Sequence, residues 1–159
     1  QKAVELGVKE IVLVQSKYCV TKYDKKDIEK KIERFCGIIK SACRQSHRLS
    51  IPNLSKIIDI NDITKEMLND INFIAYEKEA GGTQNTKKYF ESISSKQSVS
   101  LLVGPEGGFN EEEVEKMNNI GFINVSLGKR ILRSETAAIS ILSNLMFILE
   151  SKIWVYIIF

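Results

Sequence analysis

The sequence has little histidine and cysteine, the residues of soft metal and redox centres. It holds one histidine, His47, and three cysteines, Cys19, Cys36 and Cys43, with no Cys-x-x-Cys pair. A single His excludes a His-rich metal site and a second catalytic His, so no metal is expected. The odd cysteine count argues for small, buried hydrophobes in a reducing cytosol, not for a disulfide framework. Two prolines and nine glycines in 159 residues exclude collagen-like and low-complexity chains. Neither sign of charge dominates: 23 Lys+Arg stand against 20 Asp+Glu, for a net +3. Such a balance permits an anionic partner without demanding one. Glu150 and Lys152 break the longest apolar stretch before it reaches the roughly 18 residues of a membrane span, so no membrane is expected. There is no internal repeat and no visible signal peptide. The chain opens on Gln1, without Met and inside a helical pattern, as a domain cut from a longer protein would.

What remains, 43% hydrophobic and 27% charged, is the composition of one globular domain with a sizeable core. Short apolar runs alternate with helical periodicity. Ile11–Val14, Phe73–Tyr76, Val99–Val103 and Ile123–Leu127 read as strands. A long helix capped by Asp24 or Asp27 carries Ile28, Ile32, Phe35, Ile39, Ala42 and Cys43 along one face. Pro52 punctuates a loop, a weak helix is expected near Thr64–Ile71, and another over Lys87–Ile93. Asn110 with Glu113 makes a capping-box start for a helix that Gly121 ends. The last helix, about Ser134 to Lys152, is apolar nearly all round and is expected to be buried on most sides, by its own core or by a partner subunit. Strand alternating with helix predicts an α/β fold, a mostly parallel sheet with helices on both faces. The apolar tail 153–159 is either a subunit contact or an aggregation-prone end.

Two strand-to-helix loops carry chemistry. The first, Gly104 to Gly108, is glycine-rich, yet it lacks the Lys-Ser/Thr of a P-loop and the GxGxxG of a dinucleotide site. Its Glu106 would repel a pyrophosphate. Glycines that let backbone approach a ligand, with one negative charge, suit a neutral or cationic ligand. The second loop, from Gly128, offers Arg130 and Arg133 around an apolar Ile-Leu pair. In a parallel sheet both loops share the rim at the carboxyl ends of the strands, where ligands bind.

Four segments carry a family resemblance: Leu-Leu-Val-Gly-Pro-Glu-Gly-Gly-Phe (101–109), Leu-Gly-Lys-Arg-Ile-Leu-Arg-Ser-Glu-Thr-Ala (127–137), Gln-Lys-Ala-Val-Glu-Leu-Gly-Val (1–8) and Ala-Cys-Arg-Gln-Ser-His-Arg (42–48). Together they resemble the 16S ribosomal RNA uridine-N3 methyltransferase E family of the SPOUT superfamily. The resemblance implies a catalytic domain over residues 1–152 with a C-terminal trefoil knot, S-adenosylmethionine as methyl donor, a cytoplasmic homodimer, and small-subunit ribosomal RNA as substrate. It further implies an N-terminal PUA-like RNA-binding barrel, absent here because the chain begins where that barrel would have ended. A silent RNA-binding module, or a knotted enzyme acting on another RNA, are the alternatives.

By the same resemblance, Leu102, Gly104, Glu106, Gly107 and Gly108 would line the methyl donor on one side. Leu127, Gly128, Ile131, Leu132 and Thr136 would line it on the other. Arg133, Glu106 and Glu135 would be the catalytic residues, near the methyl group and the base, and Arg34, Arg44, Gln45 and Arg48 would meet RNA. Ser134, Val4 and Phe35 depart from the family pattern, where Thr, a hydroxyl residue and Trp are usual.

Overall fold

The computed structural model describes residues 1–20, 25–78, 82–94, 96–149 and 155–158. In chain order these form α1 (Lys2–Glu5), β1 (Glu10–Gln15), α2 (Lys25–Gln45), β2 (Asn53–Asp59), β3 (Ile71–Ala75), α3 (Gly82–Ser92), β4 (Val99–Leu102), α4 (Glu111–Ile120), β5 (Phe122–Val125), α5 (Ser134–Leu149) and β6 (Val155–Ile158). All six strands join one sheet in the order β2-β1-β6-β4-β3-β5, and every pairing is parallel.

Side chains alternate across a strand, so neighbours in sequence face opposite layers. Ile11, Phe73 and Leu101 point into a core shared with Val4, Ile39, Phe90, Ile141 and Leu145 of α1, α2, α3 and α5. Their neighbours Val12, Ile74 and Leu102 point the other way, onto Val114 and Met117 of α4 and onto Ile60 and Ile63. Helices therefore cover both faces, as the α/β expectation requires. Each face is apolar, so the strands read as continuous hydrophobic runs.

Several elements differ from expectation. No α-helix forms over Thr64–Ile71; instead there are two 3-10 turns, Ile60–Asp62 and Lys65–Met67, and Ile60, Ile63 and Leu68 of this stretch pack into the α4-side core. Residues 53–59, given no element by the sequence reading, are β2. Of the two candidate caps for α2, Asp24 lies outside the described residues, while Asp27 sits inside the first turn. Helix α5 buries one stripe, Ala138, Ile141, Leu142, Leu145 and Leu149, against its own core. The opposite side leaves Phe147 86% exposed and Ile139 and Ile148 more than one-third exposed, so burial on most sides does not hold within this chain. The tail, left open between two fates, supplies β6, which pairs with β1 on one side and β4 on the other. Among the described residues, no helix is long and apolar enough to cross a membrane.

Candidate functional site

The carboxyl ends of β3, β4 and β5 lie side by side, and the loops that leave them wall a cleft of about 270 Å³. Ala75, Tyr76 and Glu77 come from β3, Val103 to Phe109 from β4, and Leu127, Gly128, Arg130, Ile131, Leu132, Ser134 and Ala137 from the β5 exit. Two loops distant in sequence thus meet because their strands both pair with β3.

Local chemistry sets each wall. Glycine conformation matters at Gly108 (φ 68°) and Gly128 (φ 125°), both in backbone regions that side chains rarely adopt. A Cβ at Gly128 would meet nothing within 4 Å, so its absence leaves open space at the cleft. At Gly107 a Cβ would stand 2.7 Å from Tyr18 Cβ, so only a hydrogen lets the two loops close. The capping box of α4 anchors the first loop. Asn110 Oδ1 accepts from Glu113 N at 2.7 Å, and Asn110 N donates to Glu113 Oε2 at 2.9 Å. The other oxygen of Glu113 accepts from Lys17 N at 2.8 Å, which ties the β1 exit to the glycine loop. The second loop is held from α3: Thr86 Oγ1 donates to Ser126 O at 2.9 Å and accepts from Ser126 N at 3.0 Å. Gly128 N then donates to Ser126 Oγ at 3.3 Å. The capping box was legible in the sequence, but the Glu113–Lys17 and Thr86–Ser126 ties were not, because partners 96 and 40 residues apart carry no local pattern.

Of the residues the resemblance pointed to, Gly104, Glu106, Gly107, Gly108, Leu127, Gly128, Ile131 and Leu132 line this cleft. Leu102, Thr136 and Arg133 do not. Leu102 is fully buried in the α4-side core, and it is Val103, the next residue, that reaches the cleft. Thr136 is exposed on α5 while Ala137 takes the lining position, and Arg130 supplies the cationic side chain in place of exposed Arg133. Leu102 and Val103 at the end of β4, and Thr136 and Ala137 on α5, differ by one position, enough to turn neighbouring side chains to different faces.

A second cleft of about 570 Å³ adjoins the first. Gly104, Pro105, Glu106 and Ser134 belong to both, while Glu135, Ser16, Cys19 and Val20 line only the second. Glu106 thus stands on the shared wall, its Oε1 accepting from Ser134 Oγ at 3.5 Å.

The residues expected to meet RNA divide. Arg34, Arg44 and Gln45 are exposed on α2. Arg48 is engaged: its Nη1 donates to Val4 O at 2.9 Å and Val8 O at 2.7 Å, holding α1 against the end of α2. Partial burial pulls its pKa below the ordinary arginine value. Among the described residues, no group of three or more His, Cys, Asp or Glu could hold a metal ion.

A parallel α/β domain whose two strand-exit loops meet in a glycine-lined cleft defines a ligand-binding domain that works at the rim of its sheet. Residues 1–146 match the RNA methyltransferase domain family, and the chain belongs to it. It is 37% identical over 144 residues to the ribosomal RNA small subunit methyltransferase E of Mesomycoplasma hyopneumoniae, covering 90% of this chain and 60% of that protein. A methyltransferase from Legionella pneumophila, solved in complex with the cofactor SAM, superposes with a TM-score of 0.82 at 34% identity, covering 92% of this chain and 58% of the other. The ribosomal RNA small subunit methyltransferase E of Neisseria gonorrhoeae, solved with S-adenosyl methionine, gives 0.77 at 32% identity, with coverage of 92% and 57%. The chain thus spans about three-fifths of the length of these relatives.

Proposed function

We propose that this domain binds S-adenosylmethionine in the two-loop cleft and directs its methyl group to N3 of a uridine in small-subunit ribosomal RNA. The observation that carries the reading is the meeting of the Gly104–Gly108 and Gly128 loops, with carboxylates and an arginine on one cleft. The residues present fit this molecule. Ala75, Val103, Leu127, Ile131 and Leu132 offer apolar surface for adenine, the glycines admit close backbone approach, and Glu106 offers a negative charge for a sulfonium.

When bound, the donor supplies an electrophilic methyl on a cationic sulfur. The residues of this chain supply position and charge. Uridine N3 is a weakly acidic imide, so its proton must leave before or during attack. Positive charge from Arg133 or Arg130, and backbone N–H groups, favour the anion. Glu106, on the wall between the two clefts, and Glu135, on the far side of it, are the groups available to take the proton. Arg34, Arg44 and Gln45 on exposed α2 contact RNA phosphates in this reading.

The same reading includes the trefoil knot, a cytoplasmic location and a homodimer. Exposed Phe147, with Ile139 and Ile148 on the two flanks of the outer side of α5, is the apolar surface that a second copy would cover. Titration of the chain with S-adenosylmethionine and S-adenosylhomocysteine tests the core of it. Micromolar binding of both is expected, and absence of both overturns the proposal. Sedimentation should give about twice 18.1 kDa. A monomer that nevertheless binds the donor would remove the dimer alone.

A further inference from the structure

We propose that Glu77 is the residue that reads the ribose of the ligand, accepting hydrogen bonds from its vicinal hydroxyls. This rests on the nucleoside-binding reading above and names a contact within it.

Glu77 follows Tyr76 at the carboxyl end of β3, the strand flanked by β4 and β5. It therefore stands between the two loops, at the rim beyond the carboxyl ends of the strands where open parallel sheets bind their ligands. Its side chain lines the cleft, and its Oε1 and Oε2 lie 3.8 and 3.9 Å from where a Cβ on Gly108 would stand. A carboxylate is a pure acceptor with two oxygens, which suits two adjacent hydroxyl donors. Among the described residues no hydrogen bond occupies it. Neighbouring Lys78 gives its ammonium to Glu111 Oε1 at 2.9 Å instead, holding that cation on the first turn of α4. Glu106, the other carboxylate of the cleft, already accepts from Ser134 on the wall shared with the second cleft. The two acids thus divide the work: Glu106 at the junction of the clefts, Glu77 on the side away from it.

Glu77 is exposed, so its substitution should leave the fold intact. The wild-type chain, Glu77→Gln and Glu77→Ala are titrated with S-adenosylhomocysteine, its 2′,3′-dideoxy analogue and methylthioadenosine, with circular dichroism confirming each fold. The wild type should prefer the hydroxylated ligand over the dideoxy analogue by roughly 30-fold or more, the scale of charge-assisted hydrogen bonds. Both variants should lose affinity for S-adenosylhomocysteine and methylthioadenosine alike, and Glu77→Ala should bind the dideoxy analogue as the wild type does. Unchanged discrimination in Glu77→Ala would overturn the proposal. So would a loss confined to S-adenosylhomocysteine, which would assign Glu77 to the amino-acid end. Failure of the wild-type chain to bind any of the three would overturn the nucleoside reading itself, and this contact with it.

Discussion

Gly107 tests the architecture of the site most sharply. Its φ is ordinary, so Gly107→Ala adds no backbone strain; what it adds is a methyl 2.7 Å from Tyr18 Cβ and 3.3 Å from Tyr18 Cγ. Real Cβ atoms do not approach so closely, so the glycine loop and the β1 exit must separate. Neither can yield freely, because Glu113 holds both, through Asn110 N at 2.9 Å and Lys17 N at 2.8 Å. Overpacking of this kind costs about 1–3 kcal/mol. For a domain of this size that lowers Tm by about 2–4 °C per kcal/mol. The same displacement moves a wall of the cleft, so affinity for S-adenosylhomocysteine should fall at least tenfold. Because the obstructing atom is a Cβ, Tyr18→Ala should not rescue Gly107→Ala, whereas Tyr18→Gly should. Thermal denaturation and calorimetric titration of the two double-mutant cycles provide the readout. Equal rescue by Ala and Gly, or a Gly107→Ala chain with unchanged Tm and affinity, would refute the reasoning.

Four further outcomes are expected. Arg48→Met should cost about 2 kcal/mol in chemical denaturation, because the carbonyls of Val4 and Val8 lose a charged donor, and it should leave the salt dependence of RNA binding unchanged. Arg44→Ala, on exposed α2, should do the reverse, lowering RNA affinity and reducing the slope of log K against log salt by about 1. If Arg133 acts on developing charge as proposed, Arg133→Ala should leave S-adenosylmethionine affinity within about twofold and reduce methyl transfer by roughly 10²–10³, since Arg133 is not among the residues lining the first cleft; a loss of affinity alone would make it a binding residue. Asp70 accepts from Ser98 N and Ser98 Oγ, both at 2.7 Å, and these bonds hold its pKa below the usual carboxylate range. A depressed folded pKa gives stability that is present above the ordinary carboxylate pKa and lost as pH falls through the folded value. Asp70→Asn should therefore be less stable than wild type at neutral pH, with the two melting curves converging in acid.

How far a sequence can be read here depended on whether its signal was local. The four strands carrying runs such as Val99–Val103 were readable because both faces of a parallel sheet are covered, so nearly every position is apolar. The Asn110–Glu113 capping box was readable because its hydrogen bonds span three residues. The glycine loop and the Gly128 loop could be placed on one rim from topology alone, and their residues carried a family resemblance. The rest needed the third dimension. Strand β2 was hidden by Ser55 and Lys56 in a seven-residue segment, and it is pairing with β1 that orders it. The tail gave no periodicity to choose by, and β6 exists because β1 and β4 leave a place between them. Helix α5 read as apolar all round, since composition cannot say which stripe meets the core. Arg48 read as one more surface cation until two carbonyls, 44 and 40 residues away, were found within its reach. Leu102 and Val103 are equally apolar in sequence, yet one fills the core and the other lines the cleft. Local patterns determine which elements form and which residue types a loop offers; which face of each element meets the ligand follows from contacts between residues far apart in the chain, and these exist only once the sheet has closed.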